Sequence, residues 1–107
     1  MKLDFDLFED TLRPNMKDGK GTVITKVFKD ENCRIMRGTL PPGSSIGMHT
    51  HTEDSEIFQI ISGTATLICD GKEEVIEKGG THYCPKGSTH TCMNNGEEDL
   101  VMLFVIF

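Results

Sequence analysis

No run of lysine or arginine occurs anywhere in this sequence, and its 11 basic residues are outnumbered by 17 acidic ones, for a formal charge of -6. Phosphate binding needs clustered positive charge, so nucleic acid is excluded as the main partner. Long apolar runs are missing too, since none approaches the roughly 18 residues that a membrane span requires. The opening residues Met1-Lys2-Leu3-Asp4-Phe5-Asp6 put acids where a signal peptide carries an apolar stretch. Neither secretion nor membrane insertion is expected, and the expected location is cytoplasmic. The four cysteines, Cys33, Cys69, Cys84 and Cys92, include no C-x-x-C pair, and three of them stand in for an apolar residue within a strand-like run. They are expected to be reduced core thiols rather than a disulfide framework.

A helical apolar period is equally absent. Turn signals instead recur roughly every 8 to 12 residues, the spacing of an all-β sandwich or barrel. At 107 residues the chain suffices for one core and is too short for two. Residues 1–21 carry Pro14, Gly19 and Gly21, lack a clear period, and read as an N-terminal arm with one short turn or strand. Residues 22–107 form the single domain. Within it, residues 22–28 and 34–40 are β-prone runs joined by the turn-like Lys29-Asp30-Glu31-Asn32. Further runs cover residues 56–61, 64–69, 72–78 and 81–84, with Asp70-Gly71 as a strong hairpin signal between two of them. The last run, residues 100–107, is apolar on both faces, which suggests a strand between two sheets or a covered subunit interface.

Only four histidines are present, and three fall in a usable pattern: His49 and His51 with Glu56 just beyond, then His90. Residues two apart on a strand point to the same face, so His49 and His51 can offer two imidazoles to one point. Glu56 falls on the opposite face of an uninterrupted strand, so Thr52-Glu53-Asp54-Ser55 must turn the chain first, and their polar composition suits that. Three imidazoles and one carboxylate suit a divalent Mn, Fe, Co, Ni, Zn or Cu ion and leave one or two positions open in an octahedral site. Read alone, an H-x-H in so polar a stretch is more often a pair of solvated loop histidines.

The longer pattern settles that choice. Gly43-x5-His49-x-His51-x4-Glu56-x6-Gly63 resembles the first motif of the cupin superfamily at every fixed position. Gly79-x5-Pro85-x-Gly87-x2-His90-x3-Asn94 resembles the second, and the 15 residues between them match the compact spacing of small microbial cupins. The resemblance implies an antiparallel double-stranded β-helix, the jelly-roll barrel, with a divalent metal held inside it by His49, His51, Glu56 and His90. It makes Gly43, Gly63, Gly79 and Gly87 turn residues and Asn94 a brace for a turn. Gly80 departs from the pattern, since an acid is common there; no ligand is affected, and a more mobile turn is expected.

Other candidates are less specific. The seven-residue step to Gly63 selects Glu56 over Glu53 as the carboxylate ligand. His82 is either a general base facing the barrel interior or a partly buried structural histidine. Tyr83 either donates to a ligand or is an ordinary strand aromatic. Phe58 and Ile60 share a face with Glu56 and are expected to line the ligand pocket, with Cys84, Cys92 and Met102 adding to it, unless all are plain core. The resemblance thus implies a small metal-binding cupin holding a small organic ligand, with dioxygenase-like or isomerase/lyase-like chemistry. The alternative is a non-catalytic module that binds or senses a small molecule or metal. Sugar-nucleotide epimerisation or phosphosugar isomerisation ranks lower, because Lys86 is the only basic residue within the motifs. A homodimer is expected, with residues 1–21 available for exchange between subunits.

Overall fold

Short β-prone runs cut by glycine and proline can bury their apolar faces only against one another, which calls for two stacked sheets. The computed structural model, which describes residues 1–107, has that arrangement, with ten strands and two single-turn 3-10 segments. The strands are β1 (Thr11–Pro14), β2 (Thr22–Lys29), β3 (Arg34–Leu40), β4 (Ser45–Thr50), β5 (Glu56–Ser62), β6 (Thr64–Cys69), β7 (Lys72–Glu77), β8 (Thr81–Cys84), β9 (Thr89–Met93) and β10 (Leu100–Ile106). Six form one sheet in the order β1-β2-β3-β10-β5-β8, and four form the other in the order β4-β9-β6-β7, every pairing antiparallel. The chain is all-β, and the architecture is a jelly-roll barrel. No helix is long and apolar enough to cross a membrane.

Local chemistry sets the register. Asp70 and Gly71 both take positive φ, at 50° and 81°, the requirement of a two-residue hairpin turn, and so pair Cys69 with Lys72. Asp30 Oδ1 accepts from the backbone N–H of Asn32 at 2.8 Å and of Cys33 at 3.0 Å, which folds the turn between β2 and β3. At Gly79-Gly80, Ile60 exchanges backbone hydrogen bonds of 2.8 and 3.0 Å with the two glycines, so this turn is tied to β5. A Cβ on Gly80 would overlap the Ile76 side chain, which accounts for glycine where an acid is common.

The final apolar run is a central strand. β10 pairs with β3 on one side and β5 on the other, burying Leu100, Met102 and Phe104 against Met36, Phe58 and Ile60 while its other face stays partly covered. That central placement explains why the run is apolar on both faces.

Residues 1–21 are more ordered than their lack of period suggests. β1 pairs with β2 of the same chain, and the 3-10 turn Met16–Asp18 then crosses to β4 at the edge of the other sheet. Backbone bonds join Lys20 O to Ser45 N at 2.9 Å, and Ser45 Oγ accepts from Lys20 N at 3.0 Å. The approach is close because both sides lack side chains: a Cβ on Gly47 would overlap the Lys17 carbonyl and lie 2.8 Å from Gly19 N. The arm therefore closes one seam between the sheets. Gly47→Ala is expected to cost about 1–3 kcal/mol in urea unfolding through overpacking. Gly43→Ala, at φ 81° with open space around its Cβ, should cost only about 1 kcal/mol of backbone strain. Equal costs would show that the arm does not bear on β4.

Candidate metal centre

The two sheets bring four side chains to one point near the mouth of the barrel. His49 comes from β4, His51 from the residue after that strand ends, His90 from β9 and Glu56 from the first position of β5. Residues 52–55 do turn the chain before Glu56, as their composition requires. Backbone bonds from His51 N to Ser88 O, 3.0 Å, and from Gly87 N to His51 O, 2.6 Å, fix His51 beyond its strand. The positive φ of Gly87, 94°, permits that exchange.

The three Nε2 atoms lie 3.1 Å from one another, and Glu56 Oε1 lies 2.9, 3.1 and 3.9 Å from those of His51, His90 and His49. At a metal–nitrogen bond of about 2.1 Å, adjacent octahedral ligands sit about 3.0 Å apart and opposite ones about 4.2 Å apart. The three imidazoles match one octahedral face, with Glu56 beside His51 and His90 and nearly opposite His49. Such a group could hold a divalent metal.

The outer partners aim the imidazoles. His49 Nδ1 lies 2.8 Å from the Gly47 carbonyl and His51 Nδ1 lies 2.7 Å from the Asp54 carboxylate, both of which only accept, so both Nδ1 atoms carry the proton. His90 Nδ1 meets His82 Nε2 at 3.0 Å, and His82 Nδ1 faces Glu74 Oε1 at 3.4 Å. Burial, and next the nearby His90, push the His82 imidazole below its ordinary value, so it is neutral at pH 7. With its own proton turned to Glu74, it accepts from His90. All three Nε2 lone pairs therefore converge on one point beside a carboxylate. Burial pushes the Glu56 carboxyl up, but the His49, His90 and His51 imidazoles around it hold it down to about 2 when they carry protons, the place a cation takes when their Nε2 atoms are bare. The chemistry of the donor set is that of a cation site.

Above the cluster opens a cavity of about 600 Å³. His49, His51 and Glu56 line it, Met16, Met36 and Ile106 supply apolar wall, and Arg13, Lys17 and Arg34 bring three positive charges. None of those cations was legible as a site residue, because Arg13 and Lys17 come from the arm and Arg34 from β3, outside both motifs. Asp54 was missed likewise, although an acid three residues after His51 was a usable signal.

The residues expected to line a pocket lie elsewhere. Phe58, Ile60, Cys92 and Met102 are in the apolar core beneath the cluster, where Phe58 stacks on His90 with ring centroids 5.1 Å apart. The interior of so small a barrel is filled by side chains, so the free space lies at its mouth. His82 sits behind His90, Cys84 is buried near Ser88, and Tyr83 is 57% exposed on the outer face of β8.

Comparison with known proteins agrees with this geometry. The cupin domain family model matches residues 36–106. The chain is similar to an oxalate-binding protein of Thermotoga maritima, 36% identical over 98 residues that cover 86% of this chain and 81% of that protein. It also resembles the crystal structure of a predicted oxalate decarboxylase of Thermotoga maritima, with a TM-score of 0.94 and 31% identity across 100% of this chain and 98% of that one. A cupin 2 conserved barrel domain protein of Salinispora arenicola shares the fold, with a TM-score of 0.75 and 24% identity over 100% of this chain and 86% of that one. By motif, fold and family match alike, the chain belongs to the cupin family.

Proposed function

We propose that His49, His51, Glu56 and His90 bind one divalent transition metal, and that the cavity holds a small dicarboxylate such as oxalate against it. The observation that carries this reading is the convergence of three imidazole lone pairs and an ionised carboxylate below a cavity with three cationic side chains. When bound, the metal would act as a Lewis acid toward carboxylate or enediol oxygens.

The chain's own residues account for selectivity. Four donors leave two of six octahedral positions, which suits a ligand with two neighbouring oxygens. Arg13, Lys17 and Arg34 offset the charge of a dianion in a cavity that also contains Glu53 and Asp54. The name of the Thermotoga maritima relative supports an oxalate-like ligand. Turnover is a second reading, favoured by Glu53, an exposed carboxylate that lines the cavity without a side-chain partner and would be the group to move a proton there.

Two measurements test the proposal. Calorimetric titration of oxalate into manganese-loaded protein should show binding that vanishes after chelation and weakens about 10-fold or more in Arg13→Ala and Arg34→Ala. Equal binding with and without the metal would contradict it. Asp54→Ala, which frees His51 Nδ1, should weaken metal binding about 10- to 100-fold without unfolding the metal-free chain. An unchanged affinity would remove Asp54 from the account.

A further inference from the structure

The arm closes one seam between the sheets, and the other seam lies between β7 and β8, the far edges of the small and large sheets. Three chemically reactive side chains meet there. His82 and Cys84 are two apart on β8 and both point inward, 2% and 0% exposed, while Cys69 ends β6 across the gap. One ligand atom from each lies within 4.8 Å of the others. Glu74 of β7 adds a carboxylate 3.4 Å from His82 Nδ1. All four cysteines are free thiols.

We propose that Cys69, Cys84 and His82 Nδ1, with Glu74 as fourth donor, form a second metal site that takes a thiophilic cation such as Zn2+. Two sulfurs, an imidazole and a carboxylate are a tetrahedral zinc set, and thiolates select softer ions than the first cluster does. Ligand atoms around a tetrahedral zinc stand about 3.4–3.8 Å apart, so the three atoms now within 4.8 Å must draw together by up to about 1.4 Å, and Glu74, 3.4 Å from His82 Nδ1, must swing toward the sulfurs. The ion would join β6 and β7 of the small sheet to β8 of the large one where no backbone bond does.

Without metal these thiols are poor nucleophiles, since burial pushes Cys69 up and Cys84 up to about 12. Binding one Zn2+ displaces the two thiol protons into solvent. His82 Nε2 is already engaged with His90 Nδ1 at 3.0 Å, which leaves Nδ1 for the ion. Taking Nδ1 moves the ring proton to Nε2, where it faces the Nδ1 proton of His90, so the hydrogen bond between the two rings breaks unless His90 gives up that proton to solvent. The two sites are therefore coupled, and the second ion binds after the first and less tightly.

Cobalt titration of the full, reduced, chelator-stripped chain tests this. Two equivalents should bind, and a thiolate-to-cobalt charge-transfer band should grow with the second. Cys69→Ser, at a half-buried position, should bind one equivalent with the band lost. His51→Ala should lose the first equivalent and keep the band, which separates failure of this site from failure of the other. The proposal is overturned if the reduced wild-type chain shows no such band, or if the band survives in Cys69→Ser. It is likewise overturned if the thiol titre of non-reduced protein is two and reduction brings no cobalt binding, which would make the pair a disulfide.

Discussion

Three imidazole nitrogens held 3.1 Å apart, with lone pairs facing one another, are the constraint around which the rest of this molecule is arranged. Such a group repels itself unless a cation or a shared proton sits in its middle, so the fold must hold it in place. Each ring is fixed from behind by a different element: a carbonyl of β4 for His49, the Asp54 carboxylate for His51, and the His82–Glu74 pair for His90. Phe58 stacked on His90 seals the lower side, and no buried side-chain polar atom is left without a partner.

Both sheets contribute to that point, so the seams between them matter as much as the strands. On one side the arm crosses from β1 to β4 through the Gly19–Gly47 contact and carries Arg13 and Lys17 to the cavity wall. The segment that closes the barrel thus also brings two of the three positive charges above the cluster. On the other side, beyond the Gly79-Gly80 turn, the strands β7 and β8 face each other through side chains that include thiol, imidazole and carboxylate.

Much of this was legible in the sequence. Seven strands stand where period-two patterning and turn residues place them, from β2 to β10, and the four motif glycines take φ of 81–94° as their turns require. Asn94 braces its turn as expected, donating to Leu40 O at 2.7 Å and Glu98 O at 2.8 Å. Spacing and resemblance point to the four candidate ligands, and the structure brings them together. The cavity wall was not legible. Alternation tells which face Phe58 and Ile60 occupy but not how deep the barrel is filled. Arg13 and Arg34 reach the cavity only through the pairing of β1 with β2 and of β2 with β3, long-range contacts that no local spacing records.

If the convergent cluster holds one divalent ion, a hard ion fills it and avoids the thiol-bearing seam. Titration of chelator-stripped chain with Mn2+, followed by electron paramagnetic resonance of the free ion, tests it directly. One bound ion per wild-type chain and none in His51→Ala is the expected result. Free ion rising in the wild type as it does in buffer alone would contradict it.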